Sequence, residues 1–591
     1  MSNKFPRMGW MIMVTLLSLS LAILPACGGG GGGGGIPYKN AGIFVQQTIG
    51  GVDSLDPAWA YDTASGEQLY YIYEGLVGYD GTSTDTFVGL VADSWSAAPN
   101  SSQITFHIRP GVKFSNGDNL TAEDVEYSFE RHLVTDPYDG GGPIWMLYYP
   151  LLDVYDSSEI TSSEIDNAVE VVNSTYVQFN FVRAFPMTTF LQILCGSWGS
   201  VIDKDWAILQ GDWDGTWGNW TNWNNPAHED LILNDKAMGS GPWALDVWTP
   251  PGEIKLVRNT NYWKGNATVP FDRIITKYVQ EWASRKLALL AGDADLVYCP
   301  RTNMNELLNV TGVNAISSLP ELTIDSFFFN MAIVSNSTYI GSGALDGNGI
   351  PPDFFTDINV RKGFSYAFNW ATYIAEAMQG EAAQRGSPIV SGLPYFNASS
   401  PMYSFCSTLA TSYLQAAWNG TLWTNGCKFT LIYNTGNLVR KTACEILANN
   451  LFAINPKIQV SVLAKAWTST LAMIRTRTMP MFQIGWLPDY ADPDNFVYPF
   501  MHSTGTFAKY QSYNSTLVDS LIEEGAVSVN ATRRAEIYGE LQQIYYTDAP
   551  GIMLVQPLGR RFFTTYIHGF TFNPTTSGQP GPLYYMTKSN P

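Results

Sequence analysis

The stretch ITFHIRPGVKFSNGDNLTAEDVEYSFER, Ile104 to Arg131, carries the decisive reading of this chain. Its front, with Gln103, alternates apolar and polar residues as far as Arg109, the pattern of a half-buried strand. Ser115-Asn116-Gly117-Asp118 is a turn. Thr121 precedes Ala122-Glu123-Asp124, and Val125, Phe129 and Leu133 follow at helical spacing. Thr121 with Asp124 three residues on is close to a capping box, so a helix begins there. Strand, turn and helix in one short stretch argue for mixed α/β architecture.

The same alternation continues in both directions. Residues 41–50 read as a buried strand and 66–76 as a helix. Residues 284–291 form a short helix that turns through Gly292-Asp293-Ala294-Asp295 into a strand at Leu296-Val297. A long amphipathic helix is expected over 357–380, with Val360, Phe364, Ala367 and Phe368 inward. Residues 437–454 form another, and 515–547 two more. Residues 196–242 fit no period and read as an irregular insertion. Trp198, Trp206, Trp213, Trp217, Trp220 and Trp223 lie within it, either as ligand-stacking surfaces or as a loop's own small core.

The chain has 591 residues, room for several domains, and is 45% hydrophobic. Only 14% is charged, while Trp, Tyr and Phe together make up another 14%. The formal charge is −19, which excludes a binder that tracks nucleic-acid phosphates and adhesion to anionic lipid by charge alone. Lys4 and Arg7, an uncharged apolar run from Met8 to about Leu24, and Leu24-Pro25-Ala26-Cys27 together read as an export signal over residues 1–26. The tetrapeptide resembles a lipobox, whose Cys27 becomes a lipidated first residue; the alternative is an uncleaved anchor helix. Gly28–Gly35 is an unbroken glycine run, so residues 27–40 form a lipidated Cys with a flexible tether. Cleavage would remove Lys4 and Arg7 and leave a net charge of −21.

Eleven Asn-x-Ser/Thr sequons occur, at Asn100, Asn119, Asn173, Asn219, Asn266, Asn309, Asn336, Asn397, Asn419, Asn514 and Asn530. They are possible glycan acceptors in an exported chain, or the chance product of a sequence rich in Asn, Ser and Thr. Besides Cys27 there are five cysteines, an odd number, of which Cys406 and Cys427 close a modest loop and are the expected disulfide. No C-x-x-C, G-x-S-x-G, H-E-x-x-H or Walker motif is present, and the five histidines (His107, His132, His228, His502, His568) are scattered. No metal or cofactor is expected.

The chain resembles the family 5 extracellular solute-binding proteins of ABC importers, the dipeptide- and oligopeptide-binding type. Ile104–Arg131 is the strongest match. Others run in family order: DSLDPA (53–58), YEGLVGYD (73–80), GSGPW (239–243), NTNYW (259–263), GDADLV (292–297), VRKGFSYAFN (360–369), YNTGN (433–437), GWLPDYADPDNF (485–496) and RRAEIYGELQQIYYTDAP (533–550). The resemblance implies an α/β, two-lobed periplasmic-binding-protein-like fold with a hinge and an additional domain beside the first lobe. Lobe I is expected from 41–75, 236–320 and 551–591, the additional domain with its Trp-rich insertion from 76–235, and lobe II from 321–550.

The resemblance further implies that Asp489 pairs with a peptide's α-ammonium group; the alternative is a carboxylate capping its own loop. It places Trp486 and Trp467 among the binding-cleft aromatics, with a core role as the competing view, and Tyr490 beside them. Tyr61, Asp62 and Thr63 would line the first lobe's side. Asp492 and Asp494 read as turn formers. A ligand carboxylate needs a cation, with Arg440 and Arg475 as the candidates. The implied molecule is a non-enzymatic, monomeric receptor, lipid-anchored through Cys27 on the extracytoplasmic face of the membrane. It would pass short peptides to a membrane permease of the ABC class and would bind no nucleic acid. Oligosaccharide or metal-complex ligands are the alternatives within that class. An exported hydrolase or a glycan-binding adhesin are the alternatives outside it.

Overall fold

A computed structural model describes residues 35–591 except 136–141, 153, 155–157, 251, 576–582 and 591. The signal segment, Cys27 and the glycines before Gly35 lie outside the described residues. Strand Gln103–Ile108 alternates as its sequence requires, with Ile104, Phe106 and Ile108 buried. It is an inner strand of a four-stranded antiparallel sheet, between Ala92–Ala97 and Tyr176–Asn180, with Val169–Asn173 outermost. The helix that follows is Ala122–Thr135. Asp124 accepts from both the backbone N–H and the hydroxyl of Thr121, each at 2.8 Å, which fixes where the helix starts. Its apolar face covers the sheet, with Phe129 edge-on to Phe179 at 4.8 Å.

The polar end of this helix does something the local pattern does not show. The Arg131 guanidinium is fully buried and grips Asp56 with two parallel bonds of 2.7 and 2.6 Å. Its Nε donates to Asp212 at 2.7 Å. Burial alone would raise the Asp56 carboxyl, but Arg131 holds it below its ordinary value. One side chain thus ties the additional domain to the DSLDPA turn of the first lobe and to the Trp-rich segment.

That first lobe is built on a seven-stranded mixed sheet. Ile43–Thr48 lies at its centre, parallel to Arg273–Tyr278 on one side and to Leu296–Val297 on the other. Glu253–Arg258 and Trp243–Thr249 extend one edge. On the other, Gly559–Thr564 runs antiparallel between Leu296–Val297 and Val313–Leu319. The GSGPW loop lies against the end of helix Thr63–Ile72. A Cβ on Gly239 would meet the Ile72 carbonyl oxygen at 2.2 Å, so only glycine fits.

Among the described residues the second lobe has three sheet pieces, the smallest pairing Ala382–Gln384 with Val555–Pro557. Met481–Trp486, Ile324–Phe329 and Gly551–Met553 form an antiparallel trio. Cys427–Asn434 and Ile458–Lys465 are parallel and joined by helix Leu438–Ile454, a βαβ unit. Gly551–Met553 and Val555–Pro557 both pair within this lobe, so the chain returns to the first lobe only at Gly559, not at 551 as expected. The helix expected over 357–380 is two, Ile358–Ala367 and Trp370–Glu376. Phe368 takes extended backbone between them, and Asn369 caps the second.

Cys406 and Cys427 are not paired; both are free thiols, as are Cys195, Cys299 and Cys444. Cys427 opens strand Cys427–Asn434 with its side chain sealed in the second lobe's core, while Cys406 sits half-buried before helix Ser407–Ala416. Adding reductant should therefore leave the melting temperature unchanged; a fall of several degrees would restore the disulfide. Most of the tryptophans of 196–242 pack on the first core. Trp213 is fully buried and stacks on Tyr127 at 5.8 Å, and Trp217 lies against Trp213 at 4.9 Å. No helix among the described residues is long and apolar enough to cross a membrane.

Candidate functional site

The strand Met481–Trp486 leaves the second lobe's sheet and delivers the loop 487–494 towards the first lobe. Asn495, in the first turn of helix Asp494–Met501, organises that loop. Its side-chain oxygen accepts from the backbone N–H of Asp489 at 2.9 Å and from Trp486 Nε1 at 3.2 Å. Its Nδ2 donates to Asp489 Oδ2 at 2.8 Å. From the opposite lobe, the Tyr61 hydroxyl donates to Asp489 Oδ1 at 2.8 Å and accepts from Trp145 Nε1 at 3.3 Å. Asp489 is thus held from both lobes, and each carboxylate oxygen keeps a lone pair for another donor. Burial pushes its carboxyl up to about 6 in spite of the bonds from Asn495 and Tyr61.

The remainder of the loop ties the lobes together. Tyr490 is buried in the first lobe's core and donates to Asp494 at 3.0 Å. Asp492 accepts from Thr189 of the additional domain at 3.0 Å and pairs with buried Arg534 at 2.7 Å. Gln192 reaches the Ala491 carbonyl at 3.2 Å. Asp492 is therefore more than a turn former. Asp494 is too: burial, with Asp492 beside it, raises its carboxyl to about 7, and its Oδ1 has no hydrogen-bond partner.

Next to this loop lies a cleft of about 530 Å³, within the usual range for small-ligand sites. Trp145, Tyr149, Phe185, Leu471, Tyr490 and Phe507 line it. Asp494 and Arg475 supply opposite charges to its wall. Arg475 is exposed and has no ion-pair partner among the described residues. Asp489 stands two hydrogen bonds behind this wall, through Tyr61 to Trp145.

The structure brings together Tyr61, Trp486, Asp489 and Tyr490. Trp486 is half-buried, edge-on to Phe507 at 5.6 Å, and so belongs partly to the core. Trp467 is 41% exposed at the start of helix Trp467–Arg475, with the Arg440 guanidinium over its ring at 5.4 Å. Arg440 also donates to Asn434 and does not line the cleft. Asp62 and Thr63 do not join the group. Asp62 is exposed and caps helix Thr63–Ile72 through Ala64 and Ser65, and Thr63 is that helix's first residue. Trp145, Tyr149 and Asn495 were not singled out in the sequence. Asn495 alone left a signal there, as the residue closing the D-P-D-N string.

Residues 86–508 match the family of bacterial extracellular solute-binding proteins, family 5 (middle). The chain is 25% identical over 530 residues to a probable D,D-dipeptide-binding periplasmic protein of Escherichia coli K12, covering 88% of this chain and 90% of that one. It is 23% identical over 513 residues to heme-binding protein A of Haemophilus influenzae, covering 85% of each. Among solved structures, the periplasmic binding protein DppA of Helicobacter pylori in complex with the peptide STSA superposes with a TM-score of 0.72. That match has 20% identity and covers 93% of this chain and 98% of that one.

Proposed function

Since the chain belongs to the family 5 bacterial extracellular solute-binding proteins, we propose that it captures short peptides between its lobes for an ABC importer. The observation that carries this reading is Asp489, a carboxylate reached by hydrogen bonds from both lobes beside an aromatic-walled cleft. A peptide brings an ammonium group, and a desolvated ammonium needs a counter-charge with hydrogen bonds. Asp489 and Asp494 supply the negative side, and Arg475 supplies a cation for the carboxylate end. Flat walls such as Trp145 and Tyr149 give contact area with little demand on side-chain identity, which suits variable residues. Ligand contacts to both lobes favour the form in which the lobes meet.

The receptor performs no chemistry on its ligand and works as a monomer. Its anchor is a lipid on Cys27, with the glycine run as a leash to the extracytoplasmic face of the membrane. Its partner there is the membrane permease of an ABC importer.

Thermal-shift screening against dipeptide, oligopeptide and oligosaccharide libraries tests the ligand class. A peptide at one hundred times its Kd should stabilise the protein by about 2.7 kcal/mol. The same peptide with an acetylated amino terminus should lose most of that shift. Stabilisation by oligosaccharides alone, or an equal shift from the acetylated peptide, would overturn the peptide reading.

A further inference from the structure

The eleven sequons find no use in ligand capture, and the structure treats them as a class apart. All eleven asparagines are exposed, in every part of the described chain. Most of the other described asparagines are buried or half-buried. The five fully buried ones, Asn259, Asn330, Asn455, Asn495 and Asn573, all lie outside sequons. Asn573 is an internal control. It stands in Asn573-Pro574-Thr575, which has the sequon spacing but the one middle residue that disqualifies it.

Hydrogen bonding separates the sequon asparagines from the buried ones as well. Each of the five buried asparagines donates through Nδ2; Asn573, for instance, bonds to the carbonyls of Gly81 and Ser83. Exposed Asn116 and Asn425 outside sequons donate as well, whereas exposed Asn222, Asn305 and Asn314 make no such bond among the described ones. Among the described hydrogen bonds, no sequon Nδ2 donates at all. Where sequon side chains do bond, they accept through Oδ1. Asn100 takes the N–H of Ser102, Asn173 that of Thr175, Asn397 that of Ser399 and Asn530 that of Thr532. The acceptor therefore holds the loop, while the nitrogen points free. The hydroxyls of Ser102 and Thr175 fold back onto the same amide, at 2.9 and 3.2 Å.

A free, exposed Nδ2 is what an N-linked sugar requires, because the new bond then costs the fold no hydrogen bond and meets no wall. A sequence merely rich in Asn and Thr would scatter sequons over buried and donating positions too. We propose that this chain is N-glycosylated at most of its eleven sequons, from a sugar carried on a lipid phosphate or pyrophosphate. Nδ2 attacks the sugar's anomeric carbon, the bond from that carbon to the phosphate oxygen breaks, and the lipid phosphate leaves with the electron pair. Nδ2 loses one proton to a base of the transferase, and nothing is oxidised or reduced. None of the eleven asparagines lines the interlobe cleft, so the sugars clothe the outside without blocking entry.

The test is peptide mass spectrometry of the chain purified from the membranes of its own cells. Sugar masses are expected on most of the eleven asparagines, with the Asn573 peptide unmodified. Thr311→Ala should drop occupancy at Asn309 to background, leave the other sites occupied and leave the melting temperature unchanged, since Thr311 is exposed. Bare asparagine at most or all of the eleven, sugars confined to Ser and Thr oxygens, or undiminished occupancy at Asn309 in Thr311→Ala would overturn the proposal.

Discussion

Replacing Asp489 with Asn is expected to weaken binding of a peptide with a free amino terminus by about 2–5 kcal/mol, roughly thirtyfold to several thousandfold. The substitution keeps size and shape but removes the charge proposed to pair with the ammonium group. Without ligand, two effects oppose each other. Burial raises the Asp489 carboxyl from 3.8 to about 6, so the folded chain carries this charge reluctantly, and an amide relieves that. Against it, Asn495 Nδ2 loses its acceptor when an NH₂ turns towards it. The melting temperature of Asp489→Asn near neutral pH should therefore move by a few degrees at most.

The pH dependence has a definite sign. Between about pH 4 and 6 the folded chain keeps a proton that the unfolded chain has lost, so this group lowers stability as pH rises through that window. Asp489→Asn should remove that slope. In the unsubstituted protein, peptide affinity should fall as pH drops below about 6, where the carboxylate becomes neutral. Titration calorimetry across pH checks both statements, and unchanged affinity in the variant would refute the ammonium role.

Arg131→Met is expected to destabilise the chain by about 3–5 kcal/mol without touching the cleft. It strands the carboxylates of Asp56 and Asp212 in a dry interior with no cation between them. Because Arg131 holds Asp56 below its ordinary 3.8, its contribution is complete above that value and is lost as pH falls through the lower, folded one. In the variant the stranded acids would take up protons instead. The gap between variant and parent should thus be widest near neutral pH and narrow towards pH 4. Denaturant midpoints at the two pH values measure this. A loss below 1 kcal/mol at neutral pH would mean that the cluster is no lock.

The contrast between these residues shows what a sequence displays. Strand Gln103–Ile108 and helix Ala122–Thr135 were legible because their signals are local: alternation, a turn, then a cap three residues from its partner. Arg131 was legible only as the end of a motif, since its partners lie 75 and 81 residues away and no periodicity links them. Asp489 stood out by its place in a recognisable string. Asn495, which sets its geometry, is an ordinary polar residue until the loop folds back on it. Asp62 misled in the opposite direction: a carboxylate after the DSLDPA turn suggests a ligand, but the helix start beside it uses both the residue and its charge. The break at Phe368 was hidden because the apolar face runs on across it. The boundary at 551 failed for a topological reason, since two short strands remain with the second lobe before the chain recrosses.

That late recrossing bears on the order in which the polypeptide emerges during synthesis. Gly559–Thr564 is the strand that joins Leu296–Val297 to Val313–Leu319. A ribosome that has made the first 550 residues has therefore released a first lobe with two strand edges open and the entire second lobe ahead of the piece that closes it. Contacts so distant in sequence form slowly, and an open edge is hazardous while it waits. For a chain exported before it folds, the same delay would be useful, because the earlier-made lobe cannot lock into its final sheet until Gly559–Thr564 has been added.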